Sequence, residues 1–185
     1  MMRRRLARIA LIAIIVFGLG FGVNFYLNNY TGDGKGTPEE VLPVDRDYVW
    51  IDGPISEKAQ RYFFFADGKY FGTALLTKNY KGWSDELSTS SLLPSTLAEN
   101  KIAAAYSDSE ILFGLIKASG EVKVTVNNHE SKRIPLAELS KVAVELYNVQ
   151  GYEIWYVDLA KLKEPKSYLI KVLDKNDSLL NELSI

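Results

Sequence analysis

The side chains that perform chemistry are few in this chain and poorly placed for it. There is one histidine, His129, and no cysteine. A histidine acting as base or metal ligand works with partners, such as a nucleophile to activate or further His and Cys donors. His129 stands in the asparagine-rich run Asn127-Asn128-His129-Glu130 with no such partner, and reads as a solvent-facing turn residue. The lack of cysteine excludes disulfides, thiolate catalysis, cysteine-bound metal and an acylated lipoprotein. Asp174, Asn176, Asp177 and Ser178 have the flavour of a calcium loop. The EF-hand pattern, however, needs glycine at its sixth position and glutamate at its twelfth, where this chain has Leu179 and Ile185. A β-turn accounts for these residues. Ser88, Thr89, Ser90 and Ser91 offer hydroxyls outside any Gly-x-Ser-x-Gly elbow; a Ser–Lys pair stays open, but no motif picks one out. The glycines form neither a phosphate loop nor a dinucleotide fingerprint, and Glu39-Glu40 fits helix capping. No enzyme signature and no cofactor follow from these residues.

Aromatic side chains are the remaining candidates for recognition. Trp50, Trp83 and Trp155, with Tyr62, Tyr70, Tyr152 and Tyr156, are the types that stack sugar rings or fill a partner's pocket, although large rings also dominate cores. Alternation separates the two roles. If Tyr152, Ile154 and Tyr156 face the core, then Glu153, Trp155 and Val157 face outward. Trp83 and Trp155 are therefore the candidate ligand or partner surface.

The element that positions everything else is the apolar run over residues 9–27, IALIAIIVFGLGFGVNFYL, nineteen positions without a charge. As a helix it spans about 28 Å, close to the hydrocarbon thickness of a bilayer. Arg3, Arg4, Arg5 and Arg8 precede it, which places residues 1–8 in the cytoplasm as a basic tail and the C-terminal part outside. Phe25, Tyr26 and Tyr30 suit the outer headgroup layer. The expectation is a single-pass signal-anchor in the cell membrane. The alternative is a secreted protein released by cleavage near Gly18-Leu19-Gly20 or Gly20-Phe21-Gly22. Gly18 and Gly22 form a Gly-x-x-x-Gly pair, the spacing that brings membrane helices together, and are the candidate self-association contact. Glycine is also simply common in such helices.

Charge is divided along the chain. Four of the 22 basic residues and none of the 23 acidic ones lie in the first 30 positions, leaving the remainder at a formal −5. A mildly acidic domain argues against nucleic acid and gives no basic surface for anionic lipid. Residues 28–36 are polar and glycine-rich from Tyr30 onward (YTGDGKG) and read as a flexible tether. Residues 37–185 are long enough for one domain with its own core. They open with Thr37-Pro38-Glu39-Glu40, where Thr37 caps, Pro38 takes the first helical position and Glu40 closes a capping box; Pro43 limits this to a short helix or capped turn.

From Tyr48 the pattern is β. RYFFFA (61–66) and YFGTALLTK (70–78) flank Asp67-Gly68-Lys69, a hairpin signal. Lys81-Gly82 turns into a strand from Trp83 toward Leu92. Residues 93–100 connect and mark the internal seam. ILFGLI (111–116) is continuously apolar, as for a strand covered on both faces. Residues 121–127 alternate strictly, and YEIWYV (152–157), YLIKVL (168–173) and residues 179–185 supply further strands. Residues 136–147 fit either a helix or a strand; the valines favour extended structure from Lys141 onward. The fold expected is mainly β, an N-terminal transmembrane helix followed by an antiparallel β-sandwich-like (Ig-like) domain with little helix.

The order of anchor, Thr37-Pro38-Glu39-Glu40, FFFADGKYFGTALL, Lys81-Gly82-Trp83, VKVTVNN, YEIWYV and YLIKVLDKNDSLL resembles small membrane-anchored or secreted proteins of unknown function from Gram-positive bacteria. In those, a V-x-V-N-G-type hairpin and a final A-Y-D-K-x-G-x-L-type hairpin close a small β-sandwich. Here Asn128 replaces the first hairpin glycine and Asp177 the second. The resemblance implies no catalytic residues. The sequence thus points to a non-enzymatic, membrane-anchored extracytoplasmic protein that binds another envelope component. A carbohydrate- or wall-polymer-binding module comes next, and an enzyme of unrecognised type third.

Overall fold

The computed structural model describes residues 2–30, 34–44, 47–94, 96–102, 104–162 and 167–185. Helix α1 covers Met2–Tyr30. It is long and apolar enough to cross a membrane, with the apolar window at Ala10–Leu27. A second helix, α2 (Lys141–Tyr147), is short. The described strands are β1 (Val49–Ile55), β2 (Ala59–Ala66), β3 (Tyr70–Asn79), β4 (Gly82–Leu92), β5 (Ala105–Ser107), β6 (Ile111–Lys117), β7 (Val122–Val126), β8 (His129–Glu130), β9 (Lys132–Pro135), β10 (Tyr152–Asp158), β11 (Leu169–Asp174) and β12 (Leu179–Ser184). They form three antiparallel sheets in the orders β1-β2-β3-β4, β5-β6-β10-β9 and β12-β11-β7-β8. The mainly β, antiparallel, sandwich-like architecture expected from the sequence is present.

The three sheets stack, and the middle one explains most of the packing. One face of β6 and β10 gives Phe113, Leu115 and Ile154 to a cluster with Phe63, Phe65 and Phe71 of the first sheet. The opposite face gives Leu112, Ile116, Trp155 and Val157 to a cluster with Val122, Val124, Val126, Ile170 and Val172 of the third. This is why ILFGLI is continuously apolar: both of its faces are covered. β7, at the outside of the stack, keeps strict alternation, with its valines buried and Lys123 and Thr125 only half-buried. Connection 93–100, apart from residue 95, which lies outside the described residues, carries the chain from the first sheet to the second. There the Leu97 amide donates to Tyr152 Oη at 2.9 Å.

Turn chemistry sets the registers. Asp67 and Gly68 both have positive φ, 52° and 68°, and Asn127 and Asn128 have 48° and 67°, the backbone of two-residue hairpin turns matched to strand twist. Asp177, standing where the resembled pattern has glycine, takes φ 61°. The short 3-10 turn Glu39–Val41 replaces a helix; Thr37 does not cap it, but the Glu40 carboxylate accepts from the Gly36 amide at 3.1 Å.

Three readings of the sequence are corrected. Residues 141–147 are helical, not extended: the Ser140 hydroxyl accepts from the Ala143 amide at 3.2 Å, and Asn148 closes the helix in the left-handed region. N-cap and C-cap chemistry outweighs the valines' β preference. The tether is short. Tyr30 belongs to α1, residues 31–33 lie outside the described residues, and residues 34–36 pack on β4, with Lys35 and Trp83 exchanging both backbone hydrogen bonds at 2.9 Å. Trp155 faces a second core, not solvent, because the third sheet covers that side of β10.

Candidate functional site

The inner face of β2 runs Arg61, Phe63, Phe65, so the alternation that buries two phenylalanines also turns an arginine inward. Arg61 stands where the aromatic core ends, only 3% exposed. Its charge is met by the tight turn between β5 and β6. Arg61 Nη1 donates to Asp108 Oδ2, whose side chain is fully buried, and Nη2 donates to Glu110 Oε2 at 2.7 Å. Nη1 also lies 3.3 Å from Thr73 Oγ1, which donates to the Tyr62 carbonyl at 3.0 Å. The turn is shaped to present these acids. Asp108 Oδ1 accepts from the amides of Glu110 at 3.0 Å and Ile111 at 2.9 Å, with Ser109 at φ 77° between them. Buried charges need this pairing, since desolvating either alone is costly.

This clasp forms the floor of an open cleft of about 970 Å³. A β-bulge between Asp52 and Ile55 bends β1 away at the mouth, where Ile55 and Ser56 line one wall; bulges commonly re-aim strands at such sites. The other walls come from Glu130 and Lys132, flanking Ser131 where the chain crosses from the third sheet to the second, and from Tyr156, Asp158 and Lys161. Burial pushes the Tyr156 phenol above its ordinary range. The cleft thus offers carboxylates, ammonium groups and a phenol around an arginine already neutralised by two acids. Such a lining suits a ligand carrying both donors and acceptors, or both charges. His129 is on the rim, exposed as expected, and among the described residues no hydrogen bond joins it to a serine. Nor do the described residues contain a cluster of three His, Asp or Glu side chains able to hold a metal ion.

The residues singled out from sequence are scattered by the fold. Trp155 is 0% exposed and pairs with Gly114 of the neighbouring β6, where an added Cβ would come within 2.8 Å of the indole. Trp83, 7% exposed, is packed under Val41 and Leu42 with Tyr62 and Leu76. The two tryptophans belong to different layers and form no joint surface, so that assignment is withdrawn. Gly18 and Gly22 are on bare helix, with nothing within 4 Å of a Cβ built at either. Tyr152 and Tyr156 pack in the core between the first and second sheets. Asp174 directs Oδ1 at the amides of Asn176 and Ser178, both at 2.8 Å, which is turn chemistry.

Trp50, Tyr62 and Tyr70 do come together, on the outer face of the first sheet with Tyr48 and Phe64. Tyr48 and Trp50 stack at 4.9 Å and 17°, and Trp50 meets Tyr62 edge-on at 6.1 Å. Beside them is a small hollow of about 50 Å³ that includes Asp85 and Ser88. Burial raises the Asp85 carboxyl above its usual range. Tyr62 Oη donates to Glu39 Oε1 at 3.0 Å, and burial together with that carboxylate pushes the phenol up to about 12.

Sequence reasoning missed Arg61, Asp108 and Glu110. The alternation of Arg61 with Phe63 and Phe65 was the available signal; nothing local links it to a turn 47 residues away. No family model matches the chain, and neither a curated protein nor a solved structure is similar to it.

Proposed function

We propose that this chain is a single-pass, membrane-anchored extracytoplasmic protein that works by binding, and that the Arg61 cleft receives a polar segment of another cell-envelope component. The observation that carries the reading is the cleft itself: an open hollow of about 970 Å³ built on a buried ion pair that joins two sheets, walled by charges of both signs. Cavities of this order are the usual size for a bound ligand. The arginines before α1 support a cytoplasmic N-terminus and an exported β domain. Mass measurement of the mature protein from cells distinguishes the retained anchor from a cleaved, secreted form. The binding reading is tested by site-specific photo-crosslinking in cells, with the probe at Lys132 on the cleft wall or at Lys69 on the β2–β3 turn. A recurrent envelope adduct from position 132 that is absent from position 69 is expected. Indistinguishable adducts from both positions overturn the cleft as the site.

A second reading, carbohydrate or wall-polymer binding, now rests on the Tyr48–Trp50 stack and the neighbouring Asp85, not on Trp83 and Trp155. Aromatic faces with a nearby carboxyl group are suited to sugar rings. Loss of wall-polymer retention in Trp50→Ala, with retention unchanged in Lys132→Ala, would favour it.

A further inference from the structure

We propose that the turn joining β3 to β4 seats the β domain on the headgroup layer of an anionic bilayer, with Tyr80 in the interface and Lys35, Lys78 and Lys81 against lipid phosphates. The inference rests on reading α1 as a membrane span. Its geometry begins at the end of that helix. Tyr30, the last residue of α1, stacks on Tyr80 at 4.9 Å and 6°, and Tyr26 stacks on Tyr30 at 5.7 Å. Tyr80 is nevertheless 74% exposed, so Tyr30 covers one ring face and the rest of the side chain is open. Tyrosine is the side chain that belongs at the membrane–water boundary, with an apolar ring and a polar tip.

Chain length enforces the same placement. Lys35 is held on β4 through its paired hydrogen bonds with Trp83. The backbones there touch so closely that a Cβ on Gly34 would fall 2.2 Å from the Lys81 carbonyl oxygen, and one on Gly82 would fall 2.3 Å from that of Lys35. Five residue steps from Tyr30 to Lys35 reach at most roughly 18 Å even fully extended. The turn therefore stays within that distance of the membrane boundary.

Charge completes the argument. In sequence Lys35, Lys58, Lys78 and Lys81 stand among Asp33, Glu57, Asp85 and Glu86, but Lys78 and Lys81 are next to the turn itself, while Asp85 pairs further along with Leu76. The β1–β2 turn belongs to this group because the Lys78 amide donates to the Lys58 carbonyl at 2.8 Å. Lysines next to the turn tip, with Asp85 set further back, complement anionic headgroups.

The chain has no native cysteine, so a fluorophore can be placed at one position in the full-length protein. Tyr80→Cys, Lys81→Cys (which keeps Tyr80) and Leu146→Cys at the opposite end of β3 are labelled. Each is reconstituted in nanodiscs of phosphatidylcholine, with or without phosphatidylglycerol, doped with headgroup spin-labelled lipid. Quenching several-fold stronger at 80 and 81 than at 146 is expected; at 80 it rises with phosphatidylglycerol and loses that rise when Lys78→Gln/Lys81→Gln is added to Tyr80→Cys. Equal quenching at all three positions, in protein that still resists alkaline extraction, overturns the seat and leaves the anchor standing. Release by alkaline extraction removes the anchor and the seat together.

Discussion

The middle sheet has two faces, and they are built differently. Toward the first sheet it meets a layer of rings: Phe63, Phe71 and Phe113 lie with centroids 5.6–6.4 Å apart. The edge of that layer is a buried Arg61–Asp108 pair and an open cleft. Toward the third sheet it meets chiefly valine and isoleucine, with Trp155 the one fully buried ring among the described residues and Tyr168 packed at the edge. The aliphatic interface fills space and carries no ion pair among the described residues, although the Trp155 indole N–H is buried there without a hydrogen-bond partner. The aromatic one leaves a gap at its margin, and a charged clasp closes the floor of that gap while its mouth stays open. The interface that carries the buried ion pair is the one beside the candidate site, as expected where structure is shaped by more than packing.

The sharpest way to break the comparison is to remove the clasp. Arg61→Ala leaves the Asp108 carboxylate buried without a counter-charge and is expected to destabilise the full-length protein in detergent by about 3–5 kcal/mol in urea unfolding. Arg61→Met combined with Asp108→Asn keeps the turn's amide acceptor and removes both charges, and is expected to recover most of that loss. A double variant as unstable as Arg61→Ala would mean the pair does more than neutralise itself. Next in size is Gly114→Ala, which tests the aliphatic face: the new methyl meets the Trp155 ring and the Ala104 carbonyl, an overpacking cost of about 1–3 kcal/mol. A neutral result would show that this core gives way more easily than its close contacts imply.

Two smaller effects compare the outer sheets by pH. The folded Tyr62 phenol titrates at about 12, against about 10 in the unfolded chain. Its contribution is fully present below pH ~10 and is lost as pH rises toward 12. Tyr62→Phe should therefore flatten the alkaline fall in the urea midpoint of the full-length protein. In the third sheet, backbone amides led by that of Ser178 hold the Asp174 carboxyl below its usual range. That contribution is present above the unfolded value of about 3.9 and is lost as pH falls through the lower folded value. Asp174→Asn should flatten the acid limb slightly; an unchanged acid limb would show that the turn carries no proton linkage.

Much of this was legible from short-range pattern. Asp67-Gly68 and Asn127-Asn128 announced their hairpins because few residues tolerate positive φ. ILFGLI announced a strand covered on both sides because no polar residue breaks it. The apolar run after four arginines announced a helix able to cross a membrane. These features depend on neighbours within a few residues, and such preferences are written locally.

What the tertiary structure alone decided is which faces became surface. Trp155 obeys the alternation read from sequence and is still buried, because a third sheet covers the face that two sheets would have left open. Residues 141–147 became helical because Ser140 and Asn148 cap them in place. Arg61 met Asp108, and Lys35 met Trp83, across 47 and 48 positions of chain. A sequence carries its dihedral preferences residue by residue, but burial and ion pairing are properties of whatever else arrives at the same place. The candidate cleft exists only where those arrivals coincide.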